Sequence, residues 1–224
     1  MARLRRIFAG LLCALMLSIP VRADAGAQYV ALTFDDGPSG RFTRRLLDGL
    51  KERDAKATFL LCGYRLELYP KEAARIAAEG HEIGIHGYSH DPMCHMTQAQ
   101  VNAEIEKTAA LLLKGVQFLR PPGGKYNEAT IAAAQSAGLA ILSWSVDPKD
   151  WAVDDAATIV ERVMEKVKDG DVILLHDMSD SSVTAALWIV DRLQARGFRF
   201  VTVSELAKIK GVEPEPGKVY RGFS

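Results

Sequence analysis

The sequence is poor in the features that mark several large classes of protein. Three cysteines in 224 residues are too few for a disulfide-stapled fold. With 18 glycines and 9 prolines in no periodic arrangement, a collagen-like or low-complexity chain is excluded. Basic and acidic side chains number 28 each and no run of five like charges occurs, so no basic face offers itself to DNA or RNA. Nor does any apolar run reach the ~20 residues that span a bilayer. Ile7 to Ile19 comes nearest and stops at Pro20. What remains, 48% apolar and 25% charged, is the composition of one packed domain.

The N-terminus separates from that domain. Met1 to Arg6 holds three arginines, the apolar run follows, and Ala23-Asp24-Ala25 supplies small residues at the spacing of a secretory leader. Cleavage is expected after Ala25, giving a secreted, periplasmic or cell-envelope protein with no membrane span left. The cut lowers the bases from 28 to 24 and the acids from 28 to 27, for a net charge of −3. Cys13 lacks the small residues that precede a lipoprotein site. Cys62 and Cys94 stay in the mature chain, where an oxidising compartment permits a disulfide without requiring one.

From Tyr29 onward, short apolar runs alternate with longer amphipathic ones. The runs predict strands over Tyr29–Phe34, Ala57–Cys62, Glu82–His86, Gln117–Arg120, Ala140–Ser145, Asp171–His176 and Phe198–Val203. Helices are predicted over Phe42–Arg53, Pro70–Glu79, Gln98–Lys114, Glu128–Ala137, Asp155–Lys168 and Val183–Ala195, with a short closing helix from Ser204. The segment after Asp155 lines Ile159, Val160, Val163, Met164 and Val167 along one face. Strand then helix, repeated about seven times, implies parallel strands joined by right-handed crossovers. An open doubly wound sheet and a closed barrel both satisfy that pattern. Residues 26–210 form the expected catalytic domain, and 211–224, with Pro214, Pro216 and Gly217, are expected to be an irregular tail.

Chemistry concentrates where strands end, the rim at which parallel α/β folds build their sites. The first strand breaks into Asp35-Asp36-Gly37-Pro38, and the third ends at His86, with His90 four residues on. The fourth ends Arg120-Pro121-Pro122-Gly123, the fifth leads to Asp147-Pro148-Lys149-Asp150-Trp151, and the sixth ends Leu174-Leu175-His176-Asp177. Each piece alone has an ordinary structural reading: a capped turn, a hydrogen-bonded histidine, a salt-bridged arginine, a core tryptophan. Their common place at successive strand ends does not. One carboxylate and two imidazoles are a usual ligand set for a zinc-like ion, with coordination left open for water and substrate. A second carboxylate that takes a proton and a histidine that gives one complete a hydrolase.

Thr33-Phe34-Asp35-Asp36-Gly37-Pro38, His86 to His90, Arg120-Pro121-Pro122, Asp147 to Trp151 and Leu174-Leu175-His176 resemble, in order and spacing, the five motifs of the polysaccharide deacetylases. These are the carbohydrate esterase family 4 enzymes, which share the NodB homology domain. The likeness runs from about Tyr29 to about Leu206. It implies a single-domain α/β fold, a distorted (β/α)7 barrel, and hence the closed alternative. It implies Asp36, His86 and His90 as ligands of one divalent ion, Zn2+ or else Co2+ or Ni2+. Asp35 resembles the general base, Arg120 the arginine that steadies it, His176 the acid, and Asp150 the carboxylate that orients His176. Trp151 and Leu174 resemble residues lining an acetyl pocket, while Pro122 and Gly123 fall at the substrate-binding loop, with a backbone N–H near Gly123 for the oxyanion.

The activity implied is removal of N-acetyl groups from N-acetylglucosamine-type residues of peptidoglycan or a chitin-like glycan, by a monomer. An O-acetyl esterase acting on xylan is the alternative within enzymes. A glycan-binding barrel without catalysis is the alternative outside them, though every catalytic position here is filled. A paired-metal phosphohydrolase wants more carboxylates than these loops hold. Two positions depart from the family pattern. Gly87 stands where a Ser or Thr hydroxyl is usual, and Gly123 where an aromatic residue is frequent. His81 reads as structural, and Cys94 and His95 as surface or disulfide residues.

Overall fold

β1 (Gln28–Asp35) carries the sequence QYVALTFD, and every residue of it after the first is buried. A strand buried on both faces belongs in the middle of a parallel sheet. In the computed structural model, which describes residues 26–112 and 115–223, β1 holds that place. Around it lie β2 (Thr58–Leu61), β3 (Glu82–Ile85), β4 (Phe118–Leu119), β5 (Ala140–Leu142), β6 (Val172–His176), β7 (Phe198–Phe200) and β8 (Val219–Tyr220). The order is β6-β1-β2-β3-β4-β5-β8, every pairing is parallel, and β7 pairs with residues 28–30 of β1. Beyond β5 the chain turns back to β6. Ser145 N–H donates to the Val172 carbonyl at 3.0 Å and Leu174 N–H to the Val146 carbonyl at 3.0 Å. Those bonds curl the sheet into the distorted barrel and bring all strand C-termini to one rim.

The helices are α1 (Gly40–Glu52), α2 (Gly63–Leu68), α3 (Pro70–Ala78), α4 (Gln98–Ala109), α5 (Glu128–Ser136), α6 (Ala156–Met164), α7 (Asp180–Ala195) and α8 (Val203–Ile209). Their apolar stripes close the outer layer. Leu46, Leu47 and Leu50 of α1, Ile159, Val160 and Val163 of α6, and Val183, Ile189 and Leu193 of α7 share one core with Leu32, Phe34 and Phe59. Phe34 and Phe59 stack with centroids 5.2 Å apart.

Most differences from the sequence expectation lie at element ends and have capping causes. The seventh strand stops at Phe200 rather than Val203, because Thr202 is the N-cap of α8 and forms a reciprocal capping box with Glu205. α7 begins three residues before Val183, where the Ser179 side chain accepts the Ser182 N–H. α4 ends at Ala109, short of Lys114; Leu113 and Lys114 lie outside the described residues, as does the leader expected over 1–25. α2 was not expected. Among the described residues no helix is long and apolar enough to cross a membrane, and Cys62 and Cys94 are free thiols.

The tail requires a correction. Residues 211–223 are not an irregular appendage, since a turn through Pro216 and Gly217 leads the chain back and β8 pairs with β5. Gly217 N–H donates to the Leu139 carbonyl at 2.8 Å, and Tyr220 stacks on Phe223 at 5.5 Å. Phe223 is only 2% exposed. Phe223→Ala should therefore cost about 3 kcal/mol of stability by chemical denaturation. A loss within ±0.5 kcal/mol, the range of an ordinary surface change, would mean the tail is not part of the core.

Candidate metal centre and active site

Asp35 ends β1, and its register partner across the sheet is His176, the last residue of β6. Asp36 follows in a left-handed conformation, φ +70°, and both carboxylates reach the same imidazole, Asp35 Oδ2 lying 3.8 Å from His86 Nε2. Asp36 Oδ1 lies 3.3 Å from His86 Nε2 and 3.0 Å from His90 Nε2. His86 Nδ1 is 2.7 Å from the Arg120 carbonyl. That carbonyl can only accept, so Nδ1 carries a proton and Nε2 is the ring nitrogen left to face Asp36, able to ligate a cation once it carries no proton. Asp36 Oδ1 is buried and has no hydrogen-bond donor. A buried carboxylate oxygen facing ring nitrogens, all within 4.8 Å of one another, suits a divalent cation.

Protons compete for the same place. Burial pushes the Asp36 carboxyl up, but its contacts with His86 and His90 outweigh this and hold it well below the usual range. Reciprocally, Asp36 draws His90 above the ordinary histidine value against its partial burial.

Arg120, following β4, has no exposed surface. Its Nη1 donates to Asp35 Oδ1 at 2.6 Å and to Thr33 Oγ1 at 2.9 Å, its Nε to the Leu142 carbonyl at 3.2 Å, and its Nη2 to the Ser143 carbonyl at 2.9 Å. Across the rim, Asp150 uses both oxygens on one residue: Oδ1 is 2.8 Å from His176 Nδ1, and Oδ2 accepts the His176 N–H at 2.8 Å. Burial pulls His176 down, yet the bond to Asp150 and the charges of Asp150, Asp35 and Asp36 raise it to about 9.

The remaining expected residues frame this cluster. Leu174 is buried two residues before His176 on the same strand, and Trp151, beside Asp150, is 67% exposed. Pro122 is buried, whereas Gly123 is exposed at φ +64° with open space where a side chain would stand. His81 is buried at the opposite end of the barrel, where it accepts the Ala57 N–H, and burial pushes it down to about 4. Cys94 is half-buried and His95 exposed, without bonds to the cluster.

The family profile described as polysaccharide deacetylase matches residues 22–142. This chain belongs to that family. A peptidoglycan-N-acetylglucosamine deacetylase of Bacillus cereus is 37% identical over 191 residues, covering 82% of this chain and 90% of that relative. The peptidoglycan-N-acetylmuramic acid deacetylase PdaC of Bacillus subtilis is 34% identical over 87% of this chain, which spans 42% of that longer protein. Among solved structures, a family 4 acetyl xylan esterase from Clostridium thermocellum in complex with a cobalt ion superposes with a TM-score of 0.82 at 32% identity, covering 87% of this chain and 98% of that one.

Two residues beside this cluster carry no role in the sequence analysis. Thr33 accepts from Arg120, and its hydroxyl donates to the Ile173 carbonyl at 2.7 Å, which ties β1 to β6. Asp177, fully buried, accepts the Thr43 hydroxyl on Oδ2 and the Ser39 hydroxyl on its carbonyl. Burial pushes its carboxyl up to about 7. A Cβ on Gly37 would fall 2.5 Å from Asp177 Oδ1, so only glycine lets the Asp36 loop lie against it. Adjacency to His176 was the one sequence signal for Asp177, and Thr33 gave none beyond its place in the first motif.

The His176 pair makes a pH prediction. In metal-free protein followed by NMR, His176 should titrate near 9. Asp150→Asn should lower it, because the hydrogen bond and the nearest charge are lost and only Asp35 and Asp36 remain to oppose burial. The raised value contributes stability fully present below pH 6.5 and lost as pH rises through about 9. An Asp150→Asn protein titrating unchanged would remove Asp150 as the cause.

Proposed function

We propose that this protein is an exported, metal-dependent deacetylase that removes N-acetyl groups from N-acetylglucosamine-type residues of a cell-wall glycan. The single observation that carries the reading is the meeting, at one barrel rim, of an arginine-held carboxylate, a carboxylate-held histidine and a Asp-His-His ligand set. The leader-like N-terminus and the peptidoglycan deacetylase relatives support envelope glycan as the substrate.

In this reading Asp36, His86 and His90 hold the cation. When bound it supplies Lewis acidity, making water acidic enough to ionise near neutral pH and polarising the acetyl carbonyl. Asp35, fixed by Arg120, takes a proton from the attacking water. The water oxygen bonds to the acetyl carbon, and the Gly123 N–H steadies the negative charge that develops on the carbonyl oxygen. His176, with Nδ1 committed to Asp150, presents Nε2–H to the sugar nitrogen. The C–N bond breaks as that proton is delivered, and acetate and a free amino sugar leave. Leu174 and Trp151 enclose the acetyl methyl, with Trp151 offering an exposed ring to the sugar.

Likeness to an acetyl xylan esterase favours one second reading, O-deacetylation, because the same base and nucleophile attack esters. Acetate release from peptidoglycan fragments, N-acetylglucosamine oligomers and acetylated xylan distinguishes the two. Release from the N-acetylated glycans is expected, and release from xylan alone would give the second reading. Asp35→Asn should lower turnover by about 10²- to 10⁴-fold, the span of a general base, with metal content intact and the fold retained at reduced stability, since buried Arg120 loses its charged partner. Full turnover in that variant would remove Asp35 from the chemistry.

A further inference from the structure

The two histidines of the ligand set are not held in the same way. His86 is fixed by its strand: its N–H donates to the Leu61 carbonyl at 2.9 Å, and its Nδ1 meets the Arg120 carbonyl. His90 has neither anchor. Its side chain is 42% exposed, and among the described residues its ring finds ion-pair or ring-contact partners only in Asp36 and His86. Its backbone is left-handed, φ +68°, a conformation costing a residue with a side chain about 1 kcal/mol or more. The place of the His90 ring therefore depends on the backbone of the loop between the two histidines.

That loop is gripped from two sides. Two N–H groups at the start of α2, free of intrahelical partners, donate to it: Gly63 to the Gly87 carbonyl at 2.9 Å and Tyr64 to the Tyr88 carbonyl at 3.1 Å. Opposite them stands one carboxylate oxygen, Glu104 Oε2 of α4. It accepts the Tyr88 N–H at 2.8 Å, the Ser89 N–H at 2.8 Å and the Ser89 hydroxyl at 3.0 Å. Successive N–H groups converging on one anion form a nest, here filled from within the protein. Ser89 Oγ also accepts the Asp91 N–H at 3.2 Å, which carries the clamp past His90.

Gly87 makes room for this contact. At φ +80°, a Cβ there would lie 3.3 Å from Glu104 Oε2 and 3.1 Å from Met93 Cε. The Glu104 carboxylate thus occupies the side of the loop to which a residue-87 side chain would point.

We propose that Glu104 is a positioning residue for cation binding, holding the His86–His90 loop so that the His90 ring faces Asp36. The proposal rests on the reading of Asp36, His86 and His90 as the ligand set. Its test is calorimetric titration of Zn2+ into metal-free wild type, Glu104→Asp and Glu104→Gln, each checked for folding by circular dichroism and thermal unfolding. Glu104→Asp keeps the charge and withdraws the acceptor, and should weaken Zn2+ binding by about tenfold or more. Glu104→Gln keeps the reach without the charge, and should weaken it less than Glu104→Asp does. At saturating Zn2+, kcat of Glu104→Asp should return towards wild type, while the Zn2+ concentration giving half activity stays raised. Wild-type affinity in Glu104→Asp, or a larger loss in Glu104→Gln, would overturn the positioning role. No Zn2+ uptake by wild type would instead overturn the ligand set beneath it.

Discussion

A guanidinium with no surface in contact with water sits at the mouth of the barrel, and its hydrogen-bonding demands organise what surrounds it. A buried charge is tolerated only when paired and when its N–H groups are satisfied. Arg120 meets both conditions through Asp35, Thr33 and the carbonyls of Leu142 and Ser143. Those carbonyls lie at the end of β5, where the chain turns towards β6 and closes the barrel. Its own carbonyl meets His86 Nδ1 and so sets which ring nitrogen faces Asp36. One residue links the carboxylate proposed as base, a proposed ligand and barrel closure.

The electrostatics follow from that pairing. Two consecutive carboxylates at a strand end would repel if they pointed the same way. Here Asp35 turns to a guanidinium and Asp36, on a left-handed backbone, to two imidazoles. Asp150 balances His176 on the far side of the rim and keeps it protonated at neutral pH. Asp35, Asp36 and Asp150 thus each face a guanidinium or imidazole across the rim, with His86 lying between the first two. Neighbouring groups can then take different parts in one reaction.

Much of this was legible because buried parallel strands leave a strong trace. A run such as VALTF, bounded by a DDGP turn, marks both a strand and the rim at its end, and repetition of that pattern brought the acidic and basic residues to one place. The trace weakens where pairing is short. β8 has two residues after a Pro- and Gly-rich turn, so composition suggested loose chain, whereas the structure packs Tyr220 and Phe223 against the barrel. Helix ends shifted where capping by Ser179 and Thr202 overruled apolar periodicity. Glu104 was illegible for a different reason. A glutamate on the half-buried face of an amphipathic helix looks like solvation, and its role exists only because α4 lies beside the loop.

The central claim is that side chains from two separate rim loops share one cation. A crystal soaked in Zn2+ and measured at the zinc absorption edge tests it most directly. The account predicts one strong anomalous peak at about 2.0–2.2 Å from Nε2 of His86, Nε2 of His90 and a carboxylate oxygen of Asp36. A rim without a peak, or a peak that leaves out either histidine, would contradict it.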